Sequence, residues 1–140
     1  MRVVEQVKEA GVVGAGGAGF PTHVKIDAKV EIAIANGAEC EPLLHGDQHL
    51  MKIHPQKVLK GLSAVVRATK ADKGIAAVKG KYAEAKEAIR KALRRYRKLE
   101  LFELGDFYPA GDEFILVYEV TGRSVPEGGI PLQVGVVVCN

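Results

Sequence analysis

Between Gly11 and Gly19 the chain carries five glycines and two alanines, and Phe20, Pro21 and Thr22 follow at once. A run so poor in side chains cannot pack as a core strand or helix, and glycine loses more entropy on ordering than any other residue. What offsets that cost is close approach of main-chain N–H groups to a bulky anion, typically a phosphate. Lys25, six residues past Gly19, places a cation within reach of the same anion. The stretch Gly11–Lys25 therefore predicts a loop that holds a phosphate-bearing cofactor. A glycine-rich surface turn is the plainer alternative, and the conformational cost of the run argues against it.

Two familiar nucleotide-binding patterns do not fit. Gly14, Gly16 and Gly19 match G-x-G-x-x-G, and Glu39 lies 20 residues further on, as in dinucleotide-binding βαβ units. Such a loop should leave a strand and run straight into a helix. Here helical spacing precedes it, and Phe20-Pro21 interrupts the exit because a residue before proline avoids helical geometry. The phosphate-loop pattern, with Lys-Ser/Thr after its last glycine, is absent.

Elements alternate on either side of this loop. Val3, Val4, Val7 and Ala10 recur at helical spacing and stop at Gly11. Lys29–Ala35 alternates as a strand does and ends at the turn signal Asn36-Gly37. Pro42–His54 is expected to begin helical and fray into a loop. Pro55–Lys70 opens on proline and aligns Val58, Leu59, Leu62, Val65 and Val66, an amphipathic helix. Gly74–Val78 reads as a buried strand, Tyr82–Arg97 as a helix and Leu99–Leu104 as a strand. Gly105–Gly111 is a loop, Asp112–Thr121 fits helix or strand with Asp112 as a cap favouring helix, Gly122–Pro131 is a loop, and Val134–Cys139 a closing strand. This order predicts an α/β fold with a largely parallel sheet flanked by helices.

A chain of 140 residues suits a single domain, residues 1–140. No apolar run approaches the roughly 20 residues of a membrane span, and Met1–Ala10 is charged and amphipathic rather than a secretory leader. Cys40 and Cys139 form no disulfide framework, which points to a reducing, cytoplasmic setting. The chain halts at Asn140, directly after an apolar strand, so a piece of a longer polypeptide is expected. The basic residues of Lys79–Lys98 are interleaved with Glu84 and Glu87 and share a helix with an apolar stripe, which reads as a solvated face rather than a nucleic-acid site. His45, His49 and His54 lack a neighbouring cysteine, so capping or solvated roles are expected rather than zinc.

Two further stretches carry chemistry. Asn36–Pro42 leaves the C-terminal end of a strand, where open α/β sheets bind ligands, and Glu39 and Glu41 there flank Cys40. Their carboxylates suit ribose or ribityl hydroxyls, although loop glutamates are more often solvated charge. In Tyr108–Glu113 a ring, a glycine and two acids open a helix, where acids usually cap and complement the macrodipole.

Taken together, GAGGAGFPT with Lys25, NGAECEP, YPAGDE and the terminal VGVVVCN resemble a known family. It is the flavin-binding domain shared by the C subunit of the Rnf electron-transport complex and the NADH-binding flavoprotein subunit of respiratory complex I. The likeness runs from about Gly11 to Asn140, and the spelling NGAECEP is closer to the Rnf-type subunit. It implies a modified Rossmann-like domain that binds FMN without a covalent bond, oxidises NADH and sends electrons onward to iron–sulfur centres. By motif position, Gly14, Gly16 and Gly17 would lie against the FMN phosphate and ribityl chain, with Lys25 as the cation. Asn36, Glu39 and Cys40 would contact the flavin or ribityl hydroxyls, with Tyr108, Gly111, Asp112 and Glu113 as the opposite wall and Asn140 at the phosphate end. Phe20 would stack on NADH, with Glu41 and Glu113 near the dinucleotide. Glutamates beside the ring would disfavour negative charge on the reduced flavin. The resemblance implies no catalytic side chain and no metal ligand.

Ala15 and Ala38 stand where the complex I pattern carries an arginine and an aspartate. The iron–sulfur segment and β-grasp domain that normally follow have no counterpart, since two cysteines fall short of the roughly four thiolates of a cluster. Partners bearing iron–sulfur centres are implied, with peripheral attachment at the inner face of the membrane through them. Two other classes stay open: a truncated or degenerate nucleotide-binding module without redox activity of its own, and an independent NAD-linked dehydrogenase.

Overall fold

Four parallel strands run side by side in the order β3-β2-β1-β4, with β1 at Ile32–Asn36, β2 at Lys73–Lys79, β3 at Leu99–Leu104 and β4 at Val136–Cys139. The computed structural model describes residues 2–15 and 18–140. Helices α1 (Val3–Glu9) and α2 (Thr22–Ile26) precede the sheet, α3 (Gly46–Ile53) and α4 (Pro55–Thr69) join β1 to β2, and α5 (Ala83–Leu93) joins β2 to β3. Helix α6 (Glu113–Thr121) and a 3-10 turn at Pro131–Val134 lead from β3 back to β4.

Strand order and helix placement follow from one rule. Crossovers between parallel strands are right-handed, so a chain that reverses its direction across the sheet must change faces. Two crossovers step outward from β1 to β3 and put α4 and α5 on one face. There Leu59, Leu62 and Val66 of α4 and Ala85, Ile89 and Ala92 of α5 meet Ala33, Ala76, Val78 and Val137. The third returns past β2 and β1, and α6 covers the opposite face with Leu116 and Val117 against Ile34, Ala77, Val136 and Val138. Neighbouring residues of β1, β2 and β4 thus face opposite cores, which is why these strands read as unbroken apolar runs. Small residues set the spacing: a Cβ at Gly74 would lie 2.6 Å from Leu99 Cδ2 and 2.8 Å from Val66 Cγ2.

Several boundaries differ from expectation. β1 starts at Ile32 rather than Lys29 and includes Asn36; Val30 instead donates its N–H to Thr69 O. Pro42–His54 is ordered the other way round, with the irregular part first and α3 second, because Leu44 N–H closes a turn on Glu41 O before any helix starts. α5 is shorter than Tyr82–Arg97, with Tyr82 as its N-cap and Arg94 as its C-cap. A short helix, α2, begins directly after Pro21. Proline blocks a helix from running through it but is well placed at a helix start.

Candidate cofactor site

The reversal of strand order falls between β1 and β4, and the carboxyl ends of those strands flank the crevice where open α/β sheets take their ligands. Asn36 ends β1 and Cys139 ends β4, followed by Asn140. Onto this edge the fold brings residues from all four sequence motifs.

The glycine loop arrives first. It doubles back on itself: Val13 and Pro21 form an antiparallel bridge, Gly14 N–H donates to Phe20 O (3.0 Å) and Thr22 N–H to Val12 O (3.1 Å). Gly11 (φ +64°) and Gly19 (φ +70°) hold the left-handed conformation that the reversal needs. A Cβ would meet nothing within 4 Å at either. For these two, turn geometry rather than close approach accounts for glycine. Gly14 is half-buried; Gly16 and Gly17 lie outside the described residues.

Beyond the loop, α2 delivers Lys25. Its Nζ donates to Val138 O of β4 (3.0 Å) and to Glu113 Oε1 at the start of α6 (3.3 Å), and it sits 5.8 Å from the Phe20 ring centroid. A cation, an aromatic face, a carboxylate and the Val138 carbonyl are thereby assembled from three motifs. Glu113 is paired with Lys25, so a cation stands beside its negative charge at this edge.

The second junction ties Asn36–Pro42 to Tyr108–Glu113. Asn36 Nδ2 donates to Gly111 O (3.0 Å), and Asn36 Oδ1 accepts from Ala38 N–H (3.1 Å). Gly111 has no room for a side chain, because a Cβ there would collide with the Ala38 carbonyl oxygen and lie 2.9 Å from Cys40 Sγ. Asp112 is the N-cap of α6, and its Oδ1 accepts from Phe114 N–H and Ile115 N–H, each at 3.1 Å. The capping role read from pattern is the one its placement serves.

Glu39, Cys40, Glu41 and Tyr108 line a cavity of about 280 Å³ with Lys79, Tyr82 and Asp106, above the ends of β1, β2 and β3. The Glu39 carboxylate is engaged at the start of α3, accepting from Gln48 N–H (3.4 Å). The structure thus groups Lys25, Phe20 and Glu113 on the β4 side and Glu39, Glu41 and Tyr108 on the β2 side, with Asn36 and Gly111 joining them. Among the histidines, His45 Nδ1 meets Gln48 Nε2 at 2.8 Å, and His54 sits between α3 and α4.

Electrostatics separate the groups at this edge. Burial pushes the Cys139 thiol up, Lys25 beside it pulls the other way, and Glu113 adds to the rise. Burial likewise raises the Tyr82 phenol, opposed by Lys81. Asp47 is raised by burial and by the charge of Glu39. Sequence reading missed three contributors: the Val138 carbonyl, Tyr82 and Lys79. Only Lys79 left a trace, as a lysine closing the otherwise apolar run Gly74–Val78.

The donor set suits a flavin nucleotide. It offers an ammonium for a phosphate or carbonyl oxygen, an amide, two carboxylates that accept from hydroxyls, and exposed rings at Phe20 and Tyr108 for stacking. Among the described residues no helix is long and apolar enough to cross a membrane.

Known proteins resemble this chain in sequence and fold. A cobalamin reductase, PduS, from Citrobacter freundii is 47% identical over 136 residues, covering 97% of this chain and 30% of its own length. The C subunit of the Na(+)-translocating ferredoxin:NAD(+) oxidoreductase complex of Acetobacterium woodii is 43% identical over 142 residues, covering 99% of this chain and 32% of its own. The chain thus spans about a third of the length of these relatives. Among solved structures, a chain of an NAD+-reducing [NiFe]-hydrogenase superposes with a TM-score of 0.84 at 27% identity, covering 99% of this chain and 28% of that one. The family model of the Nuo51 FMN-binding domain matches residues 7–140. With that match added to the fold and the converging motifs, the chain belongs to the Nuo51 FMN-binding domain family, an oxidoreductase family whose cofactor is FMN.

Proposed function

We propose that this domain holds FMN in the crevice at the carboxyl ends of β1 and β4 and serves as the NADH-oxidising part of a larger electron-transfer assembly. The observation that carries the reading is convergence. Lys25, Asn36, Gly111, Glu113 and the Val138 carbonyl come from four separated motifs and are joined by hydrogen bonds at one sheet edge. FMN, when bound, supplies the exchange between a hydride from NADH and single electrons.

The protein's own part is to bind and orient. Lys25 presents the cation for the phosphate end, and Gly14, Gly16, Gly17 and Asn140 are the residues assigned to that end by motif. Asn36, Cys40 and Glu39 form one wall, and Tyr108, Gly111, Asp112 and Glu113 the other. Phe20, Glu41 and Glu113 receive the dinucleotide. No side chain needs to form a covalent bond with substrate. Residues 1–140 act as one domain of a longer polypeptide, whose other parts or partner subunits carry iron–sulfur clusters, on the cytoplasmic side of the membrane.

Titrating the purified chain with FMN and then adding NADH without oxygen tests this. Saturable uptake followed by bleaching of the flavin band supports the proposal. Uptake without bleaching reduces the domain to a flavin-holding module, and no uptake removes the cofactor assignment.

A further inference from the structure

Lys79, the last residue of β2, is only 6% exposed. It enters no ion pair among the described residues. Lys81, two residues on and exposed, pairs with Asp106 at 2.7 Å. A largely buried ammonium with no carboxylate in direct contact is costly, and Asp106 feels its charge only at longer range, so its retention points to the group it does meet. That group is the main-chain carbonyl of Glu39: Lys79 Nζ donates to it at 3.0 Å, and Tyr82 OH donates to the same oxygen at 3.4 Å.

Two donors on one carbonyl oxygen use both of its lone pairs and fix the plane of the peptide between Glu39 and Cys40. That peptide is a hinge of the site. Upstream, Asn36 and Ala38 are already tied. Downstream, Cys40 Sγ packs where Gly111 leaves space, and Glu41 lines the cavity beside Tyr108. Without the clamp, no other donor among the described residues holds this carbonyl, and Cys40 and Glu41 are restrained only by the turn that Leu44 N–H closes on Glu41 O and the packing of Cys40 on Gly111.

We propose that Lys79 is a positioning residue for the cofactor site. Through the Glu39 carbonyl it holds Glu39–Glu41 in the conformation that the site uses, with Tyr82 as the auxiliary donor. The cofactor half of this statement rests on the FMN reading above; the loop half does not.

The test compares the full chain with Lys79→Met, Lys79→Arg and Tyr82→Phe. Methionine keeps the unbranched stem and removes the donor, whereas arginine keeps the charge and donors. Alkylation of Cys40 by iodoacetamide is followed by peptide mass spectrometry, with Cys139 in the same molecules as the reference. Loss of a charge-assisted hydrogen bond should raise the Cys40 rate about tenfold in Lys79→Met and about threefold in Tyr82→Phe. Cys139 should stay within about twofold, and Lys79→Arg should track the wild type. FMN affinity should fall about tenfold in Lys79→Met and be restored in Lys79→Arg.

An unchanged Cys40 rate, or Cys40 and Cys139 rising together as general loosening would cause, overturns the loop role. If wild type and Lys79→Met bind FMN equally, the positioning claim fails even where Cys40 opens. Absence of FMN uptake by the wild type counts against the cofactor reading, while the alkylation rates still decide the clamp. Should Lys79→Met not fold, Tyr82→Phe decides the matter, and no rise in Cys40 rate there sinks the idea.

Discussion

Lys25 Nζ stands 3.3 Å from Glu113 Oε1, although the two residues are 88 positions apart in the chain. Both side chains are partly solvated, 29% and 40% exposed, so the pair contributes at most about 1 kcal/mol to folding. Its position, between the glycine loop and the start of α6, matters more than its strength. Lys25→Met should leave thermal stability nearly unchanged but weaken FMN binding about tenfold or more, the cost of one charge-assisted hydrogen bond. Glu113→Gln should affect NADH oxidation more than FMN affinity. Flavin fluorescence titration and anaerobic NADH reduction separate the two effects, and equal losses in both assays for both variants would contradict this division of roles.

Asp112 allows its capping duty to be separated from its charge. Asparagine caps nearly as well as aspartate, whereas alanine costs about 1 kcal/mol. Asp112→Ala should therefore lower the melting temperature, and Asp112→Asn should not. If Asp112→Asn folds normally yet loses FMN, its charge serves the cofactor; if it keeps FMN, the residue is a helix cap alone.

Gly111→Ala should be disruptive out of proportion to one methyl group. The added carbon meets main-chain oxygen at Ala38, which cannot rotate away as a side chain could. A cost of about 1–3 kcal/mol follows from overpacking. The displacement would also part Asn36 from the Gly111 carbonyl, so calorimetry and FMN titration should both show the loss. Gly74→Ala, crowded most closely by the side chains of Leu99, Val66 and Leu62, should lower stability while leaving FMN affinity intact.

Cys139 gives a pH prediction. Its folded-state thiol titrates above an ordinary cysteine because burial disfavours the thiolate. The associated stability is fully present below the unfolded-state value and is lost as pH rises through the raised folded value. At a pH near that of a free thiol's midpoint, Cys139 should alkylate more slowly than an unfolded control peptide, and the gap should narrow at higher pH. Equal rates across the range would show that the thiol is not held neutral by burial.

The parallel α/β plan was legible because β1, β2 and β4 are apolar on both faces and the helices between them are amphipathic. The edge where the motifs converge was legible as well, since Asn36–Pro42 follows a strand directly. Details decided by tertiary contacts were not. Nothing local marks Pro21 as a helix start rather than a stop, and only strand pairing puts the Val138 carbonyl beside Lys25. Pattern does not sort the glycines by role: Gly11 and Gly19 turn the chain, a demand that composition alone does not distinguish from phosphate contact. Glu39 is similar, its carboxylate drawn to α3 by a neighbour, Gln48, nine residues on.

The hydrogen bond from Asn36 to the Gly111 carbonyl means that two walls of the crevice are fastened together in the chain itself. For the proposed FMN site this means a socket rather than a pair of wandering loops, with little of the association free energy spent on ordering these two walls. Capture should then be governed by how often ligand and crevice meet, and residence time by how firmly the phosphate end is gripped.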